Sequence, residues 1–232
     1  MIKNFILYLI KLTRFYVHQP KILRSLQNLK IKRVFDVGAH EGETIEYLIK
    51  LKKIEKIYCF EPQTIPFQKL RSKYNKYKNI KFSQIAFSNN KKMKKFYIND
   101  LSDTSTFSKI NKTSKWLKIK NIILNKKDSI IKTITIKTST LDEYFRNKNI
   151  GDLDLLKIDT EGHELEVLEG SKKAIKNGKI RYILIELHSS NMYKNYSKKK
   201  IEIFLAKNNF KLLNTFQFPF HTFTDNLYVY KK

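Results

Sequence analysis

Leu153–Gly170 reads LDLLKIDTEGHELEVLEG. Its first six residues form an apolar run of strand length ending at Ile158, and from Glu164 the apolar residues recur at helical spacing. Between them lie two acids, a Thr, a Gly and a His. A strand that empties into a polar turn and continues as a helix is one βα unit. Repeated units of that kind build a parallel sheet with helices on both faces. The spacing predicts one helix over 164–177, with Leu168, Ser171 and Ile175 on a shared face. Lys172, Lys173 and Lys176 suit its C-terminal dipole, and Gly178 is its stop.

The rhythm extends both ways. Upstream, RVFDV (33–37), KIYCF (56–60) and IKFSQIAF (80–87) contain strands, with helical spacing in ETIEYLIKL (43–51) and PFQKLRSKY (66–74). Downstream, RYILIEL (181–187) is a fifth strand and SKKKIEIFLAKNN (197–209) a helix. FKLLNTF and NLYVYK close the chain as an antiparallel pair. The expected fold is α/β: a doubly wound, mostly parallel, seven-stranded sheet with an antiparallel C-terminal edge strand. Residues 88–140 break the rhythm. They are rich in Ser, Thr, Asn and Lys, include the β-like TITIK, and read as an insertion or lid. Thr140 and Glu143 close it with capping-box spacing.

The 232 residues fit one domain, 31–232, behind an N-terminal helical extension, 1–30. Net charge is +26, yet only six of the 47 basic residues are Arg, the type suited to bidentate phosphate and base recognition. The charge therefore reads as a Lys-rich solvated surface, and nucleic acid is not the expected partner. Cys59 is the only cysteine, so no internal disulfide forms, and a reducing cytoplasm is compatible. In MIKNFILYLIKLTRFYVHQP the uninterrupted apolar run, Phe5–Ile10, is far short of the ~20 residues that cross a bilayer. No cleavage pattern follows it. Ile2, Phe5, Ile6, Leu9 and Leu12 or Thr13 share a helical face. Such a helix either makes peripheral membrane contact through residues 1–17, at the inner face, or packs on the domain or a partner subunit.

Two clusters carry chemistry. Gly38 and Gly42 follow the first strand in VFDVGAHEG, where a ligand approaches the carboxyl ends of the sheet. Glu61 ends the second strand, placed to accept both hydroxyls of a ribose. The loop is neither G-x-G-x-x-G nor a triphosphate cradle. Asp36 and Glu41 make it acidic, which suits a sulfonium or ribose better than pyrophosphate and favours S-adenosylmethionine over NAD or ATP. Asp36, Gly38, His40, Gly42 and Glu61 are the candidate cofactor residues. Lys157, Asp159, Glu161, His163 and His188, with Glu186 beside the last, are the second cluster. Asp159, Glu161, His163 and His188 are candidate bases for a hydroxyl acceptor, and Lys157 would hold Asp159 or steady an alkoxide. Each also has a structural reading: an ion pair, a cap, a satisfied core group. No H-x-x-x-H or cysteine spacing supports a metal, and none is expected.

VFDVGAHEGET, IYCFEP, TSTLDEYF, LDLLKIDTEGHELEVLEG and IELH, in that order, resemble the FkbM family of S-adenosylmethionine-dependent methyltransferases across about residues 31–231. The resemblance implies the class I, Rossmann-like methyltransferase fold. It also implies O-methylation of a hydroxyl on a sugar, glycan or secondary metabolite, with a small-molecule or glycan acceptor as partner. Two departures stand out. The family usually has Asn at His40, and a second Pro near Thr64 is absent. The alternatives are an RNA methyltransferase, for which the sequence shows neither the NPPY-type tetrapeptide of amino-group methylases nor a separate RNA module, and a non-catalytic scaffold, against which the Gly38/Gly42/Glu61 set argues.

Overall fold

The computed structural model describes residues 2–114, 130–188, 191–219 and 222–231, without the side chains of residues 2–4 and 7. Part of the expected insertion, 115–129, and the side chain of Ile2 thus lie outside the described residues.

Seven strands form the main sheet: β1 (Arg33–Val37), β2 (Lys56–Phe60), β3 (Ile80–Ser83), β7 (Leu153–Ile158), β8 (Ile180–His188), β9 (Phe210–Gln217) and β10 (Phe223–Tyr230). Their order is β3-β2-β1-β7-β8-β10-β9. β3, β2, β1, β7 and β8 pair in parallel, while β10 is antiparallel to both β8 and β9. The C-terminal pair thus makes the antiparallel edge, with the reversed strand tucked between β8 and β9. A short sheet of β4 (Ala86–Phe87), β5 (Met93–Asn99) and β6 (Ile130–Ser139) builds the described part of the insertion.

Strand alternation divides the core into two layers. Val34, Ile57, Leu155 and Leu184 face one side, under α2 (Gln19–Gln27), α3 (Ile45–Leu48) and α4 (Thr64–Tyr74). Phe35, Phe60, Leu156 and Ile183 face the other, under α5 (Leu141–Asn147), α6 (Glu164–Glu169), α7 (Lys172–Lys176) and α8 (Lys198–Lys207). Thr140 caps α5 as its spacing predicts, accepting the Glu143 N–H at 3.0 Å.

The helix predicted over 164–177 is two helices, broken at Gly170–Ser171. A Cβ on Gly170 would lie 2.1 Å from the Ser88 carbonyl oxygen, so the start of the insertion presses on the chain there. The Asp142 carboxylate then accepts the Lys173 and Ala174 N–H groups at 3.0 and 2.8 Å, capping α7 from another helix.

Helix α1 (Ile2–Thr13) runs into a π-helical turn, Arg14–His18, and then into α2. Gln19 N–H donates to the Arg14 carbonyl, five residues back. Pro20 has no N–H and would crowd the carbonyl four residues before it, which accounts for the widening.

Candidate functional site

The parallel strands all point their carboxyl ends at one rim, and a cavity of about 1020 Å³, open mouth included, lies along it. Gly38, His40 and Glu61 line one part of it, and Lys157, Asp159, Glu161 and His163 another. Three residues named from sequence stand apart. Asp36 is wholly buried beneath the rim, Gly42 packs against Tyr74, and His188 lies behind Glu161.

Gly38 has φ +84°, and a Cβ there would lie 1.8 Å from the Asp159 carbonyl oxygen. Its N–H and that of Ala39 donate to the Phe60 carbonyl, and the Asp159 N–H donates to Val37. The tips of β1, β2 and β7 are therefore interlocked. His40 has φ +43°, a conformation that Asn and His adopt more readily than most residues. The Asn that the family resemblance implies here would answer the same backbone demand. The His40 N–H donates to Glu61 Oε2 at 3.0 Å, and the Gln63 N–H donates to Oε1 at 2.8 Å. The Glu61 carboxyl is pushed up by burial, which these bonds and His40 oppose. His40 Nδ1 pairs with Glu43 at 2.9 Å and Nε2 with Ser102 Oγ at 2.8 Å, tying the loop to the insertion.

These residues fit S-adenosylmethionine. The glycine turn admits close approach, the buried carboxylate keeps lone pairs for two hydroxyls, and acids surround the space a sulfonium would enter.

At the other part of the rim, Lys157 Nζ lies 3.2 Å from Asp159 Oδ2 and 3.3 Å from Asp225 Oδ1. Burial works against its charge, but Asp159, Asp225 and Glu186 outweigh that and raise its pKa well above normal. It stays an ammonium and anchors both carboxylates. Asp225 also pairs with His18 Nε2 at 2.8 Å. Burial would raise the Asp225 carboxyl, yet Lys157 and His18 bring it down to about 2. The His163 imidazole is pushed down to about 3 by burial and by Lys94, so it is neutral near pH 7.

The turn 159–163 is held from within. Glu164, fully buried, accepts the Thr160 and Gly162 N–H groups at 3.1 and 2.9 Å through one oxygen. Glu161 itself has φ +54°. From the insertion, Thr106 Oγ1 and Ser108 Oγ donate to the Glu161 and Gly162 carbonyls, each at 2.6 Å. Within the turn, Glu164 organises the loop, whereas Asp159 and Glu161 face the cavity.

Sequence reasoning missed Arg14 and His18, which the π turn delivers to the cavity, and Asp225. Asp225 left a local signal, a polar triplet (224–226) inside the apolar β10, and Pro20 marks the turn that carries the other two.

A model of the methyltransferase FkbM domain matches residues 36–212, well over half of the chain. Among curated proteins, the hexuronic acid methyltransferase AglP of Haloferax volcanii is 35% identical over 57 residues, which span 25% of this chain and 23% of that protein. Among solved structures, the methyltransferase FkbM of Methylobacillus flagellatus superposes with a TM-score of 0.54 at 18% identity, covering 87% of this chain and 44% of that one. A SAM-dependent methyltransferase of Aquifex aeolicus gives 0.51 at 15% identity over 99% of both chains. At these identities the superpositions speak for the fold, and the chain spans less than half the length of the first two proteins it matches. The family model decides the identity: the chain belongs to the FkbM methyltransferase family, whose methyl donor is S-adenosylmethionine.

Proposed function

We propose that this chain O-methylates a sugar hydroxyl of a glycan or glycan precursor, and that helix α1 holds it at an anionic membrane surface where such acceptors lie. The observation that carries the first half is that Glu61 and Asp159 line one cavity. A nucleoside bound at Glu61 and an acceptor at Asp159 then share one space. S-adenosylmethionine supplies a methyl already activated on a sulfonium, so the protein's task is positioning and proton removal. Glu61 holds the donor's ribose. Asp159, oriented by Lys157 at 3.2 Å, would take the hydroxyl proton as the methyl passes from the sulfonium sulfur, which leaves as a thioether, to the acceptor oxygen. Lys157 keeps its own proton and balances the charge. The likeness to a hexuronic acid methyltransferase supports a sugar acceptor.

Residues of α1 and the π turn support the second half. Phe5, Tyr8 and Leu9 are exposed on α1, as are Phe15, Tyr16 and Val17 on the turn. Tyr16 is 69% exposed. An apolar face on a chain of net charge +26 suits an anionic lipid surface.

The test is transfer from methyl-labelled donor to hexuronate-containing glycans, lipid-linked sugars and RNA. Base-stable label on a sugar, an ether, is the expected result. Base-labile label would place the methyl on a carboxyl instead, and label in RNA alone would replace the reading altogether.

A further inference from the structure

Behind the proton-accepting Asp159, three further ligating groups converge. A Glu161 oxygen, a Glu186 oxygen and a His188 ring nitrogen all lie within 4.8 Å of one another. Two come from alternate positions at the end of β8 and one from the turn after β7, 25 residues upstream of Glu186. Glu161 reaches them from a left-handed backbone, φ +54°, a conformation costly for a non-glycine residue. Gly162, also at positive φ, follows it, with the Tyr193 ring packed where its Cβ would be. The Tyr193 hydroxyl donates to Glu161 Oε2, and His188 Nε2 lies 3.6 Å from the same oxygen. The Tyr196 hydroxyl accepts the His188 N–H at 2.8 Å, fixing the strand end.

Glu186 is the unexplained member. It is 3% exposed and lines the cavity wall. Among the described residues its carboxylate makes no hydrogen bond and no ion pair. The charges around it are mostly acidic, Asp159, Asp225 and Glu161, with Arg14 as the opposing one. The near cation, Lys157, is already shared by Asp159 and Asp225. A buried carboxylate is normally paired or coordinated to a metal, and among the described residues only the longer-range charge of Arg14, with no ion pair or hydrogen bond, offsets the burial.

We propose that Glu161, Glu186 and His188 form a divalent-cation site on the cavity wall, with coordination positions left open toward the acceptor. Two carboxylate oxygens and one imidazole nitrogen suit Mn²⁺, which accepts both donor types, and also Mg²⁺. A cation there supplies the charge that Glu186 lacks. On the reading given under Proposed function, it also binds the acceptor's oxygen, acidifies the hydroxyl that Asp159 deprotonates, and offsets the charge of a hexuronate entering an acid-lined cavity. The role in transfer rests on that reading, whereas the site itself does not.

Binding is therefore measured without turnover. The full-length, tag-free chain is stripped with chelator and titrated with Mn²⁺, the free ion being followed by electron paramagnetic resonance. One ion per chain is expected, with a rise in melting temperature. Glu186→Gln should weaken binding on the order of 100-fold and abolish that rise. It also removes an unpaired buried charge, so the variant should melt no lower than metal-free native protein. Glu161→Gln, checked by circular dichroism, is the second variant. No binding of Mn²⁺ or Mg²⁺ at millimolar concentration overturns the site, as does native-like binding by both variants. Binding with no transfer to any sugar leaves the site standing and sinks only the acceptor reading.

Discussion

Glu61 carries its load through geometry. Each oxygen already accepts one main-chain N–H, from His40 or Gln63, which fixes the carboxylate before a ligand arrives. Two hydroxyl bonds to a charged acceptor are worth ~1.5–3 kcal/mol each. Glu61→Ala should thus weaken S-adenosylmethionine binding by about 100-fold or more in calorimetry, and unchanged affinity would remove it from the ribose role. Asp159→Asn should leave that affinity intact while kcat falls by ~10²–10⁴. Asp36 makes a different prediction. Burial, helped by Asp159 and opposed by Lys157, pushes its carboxyl from 3.8 up to about 7. A raised acid stabilises the fold fully below its unfolded value and loses that stability as pH climbs through its folded value. Relative to Asp36→Asn, the native protein should lose on the order of 4 kcal/mol between about pH 4 and pH 8. Parallel denaturant midpoints for the two proteins across that range would refute it.

The turn from β7 to α6 shows what an element adds to its residues. Glu164 looks from sequence like an acid at a helix N-terminus, whereas Asp159, Glu161 and His163 before it read as candidate bases. In the fold Glu164 is buried and holds the turn by accepting two of its N–H groups. Glu164→Ala leaves those donors without a partner, each at a cost of ~1–3 kcal/mol. A fall of about 3 kcal/mol in unfolding free energy is expected, and a change under ~0.5 kcal/mol would show that water serves the loop equally well. The strands, their order of appearance and the two rim clusters were legible because period-2 and period-3.6 patterns are local. What was not legible depends on contacts distant in sequence. Ser88 against Gly170 splits a helix that its own spacing makes continuous. A search for metal-ligand spacing along the chain finds nothing, since Glu161 and Glu186 meet only when β7 and β8 lie side by side. Arg14 and His18 meet Lys157 and Asp159 from about 140 residues away in sequence, through a turn whose only herald is Pro20.

At the scale of the molecule, charge is unevenly spent: the chain carries +26, yet its cavity gathers Glu43, Glu61, Asp159, Glu161, Glu186 and Asp225. Among the described residues every lysine but Lys157 is at least partly exposed. Removing residues 1–12, which stops short of Arg14, should cut association with anionic vesicles about tenfold or more while sparing donor affinity. Equal sedimentation of both proteins with such vesicles would argue for a protein partner instead. One consequence follows from the contact between Gly38 and the Asp159 carbonyl. On the proposed roles, the Gly38 loop and Asp159 are a single rigid casting, so neither is adjustable without spoiling the other. Diversity in what such an enzyme modifies has to come from the bolted-on pieces, the N-terminal helices and the insertion. A combinatorial library confined to those two should yield new acceptor preferences at constant donor affinity, whereas one aimed at the casting should yield mostly inactive protein.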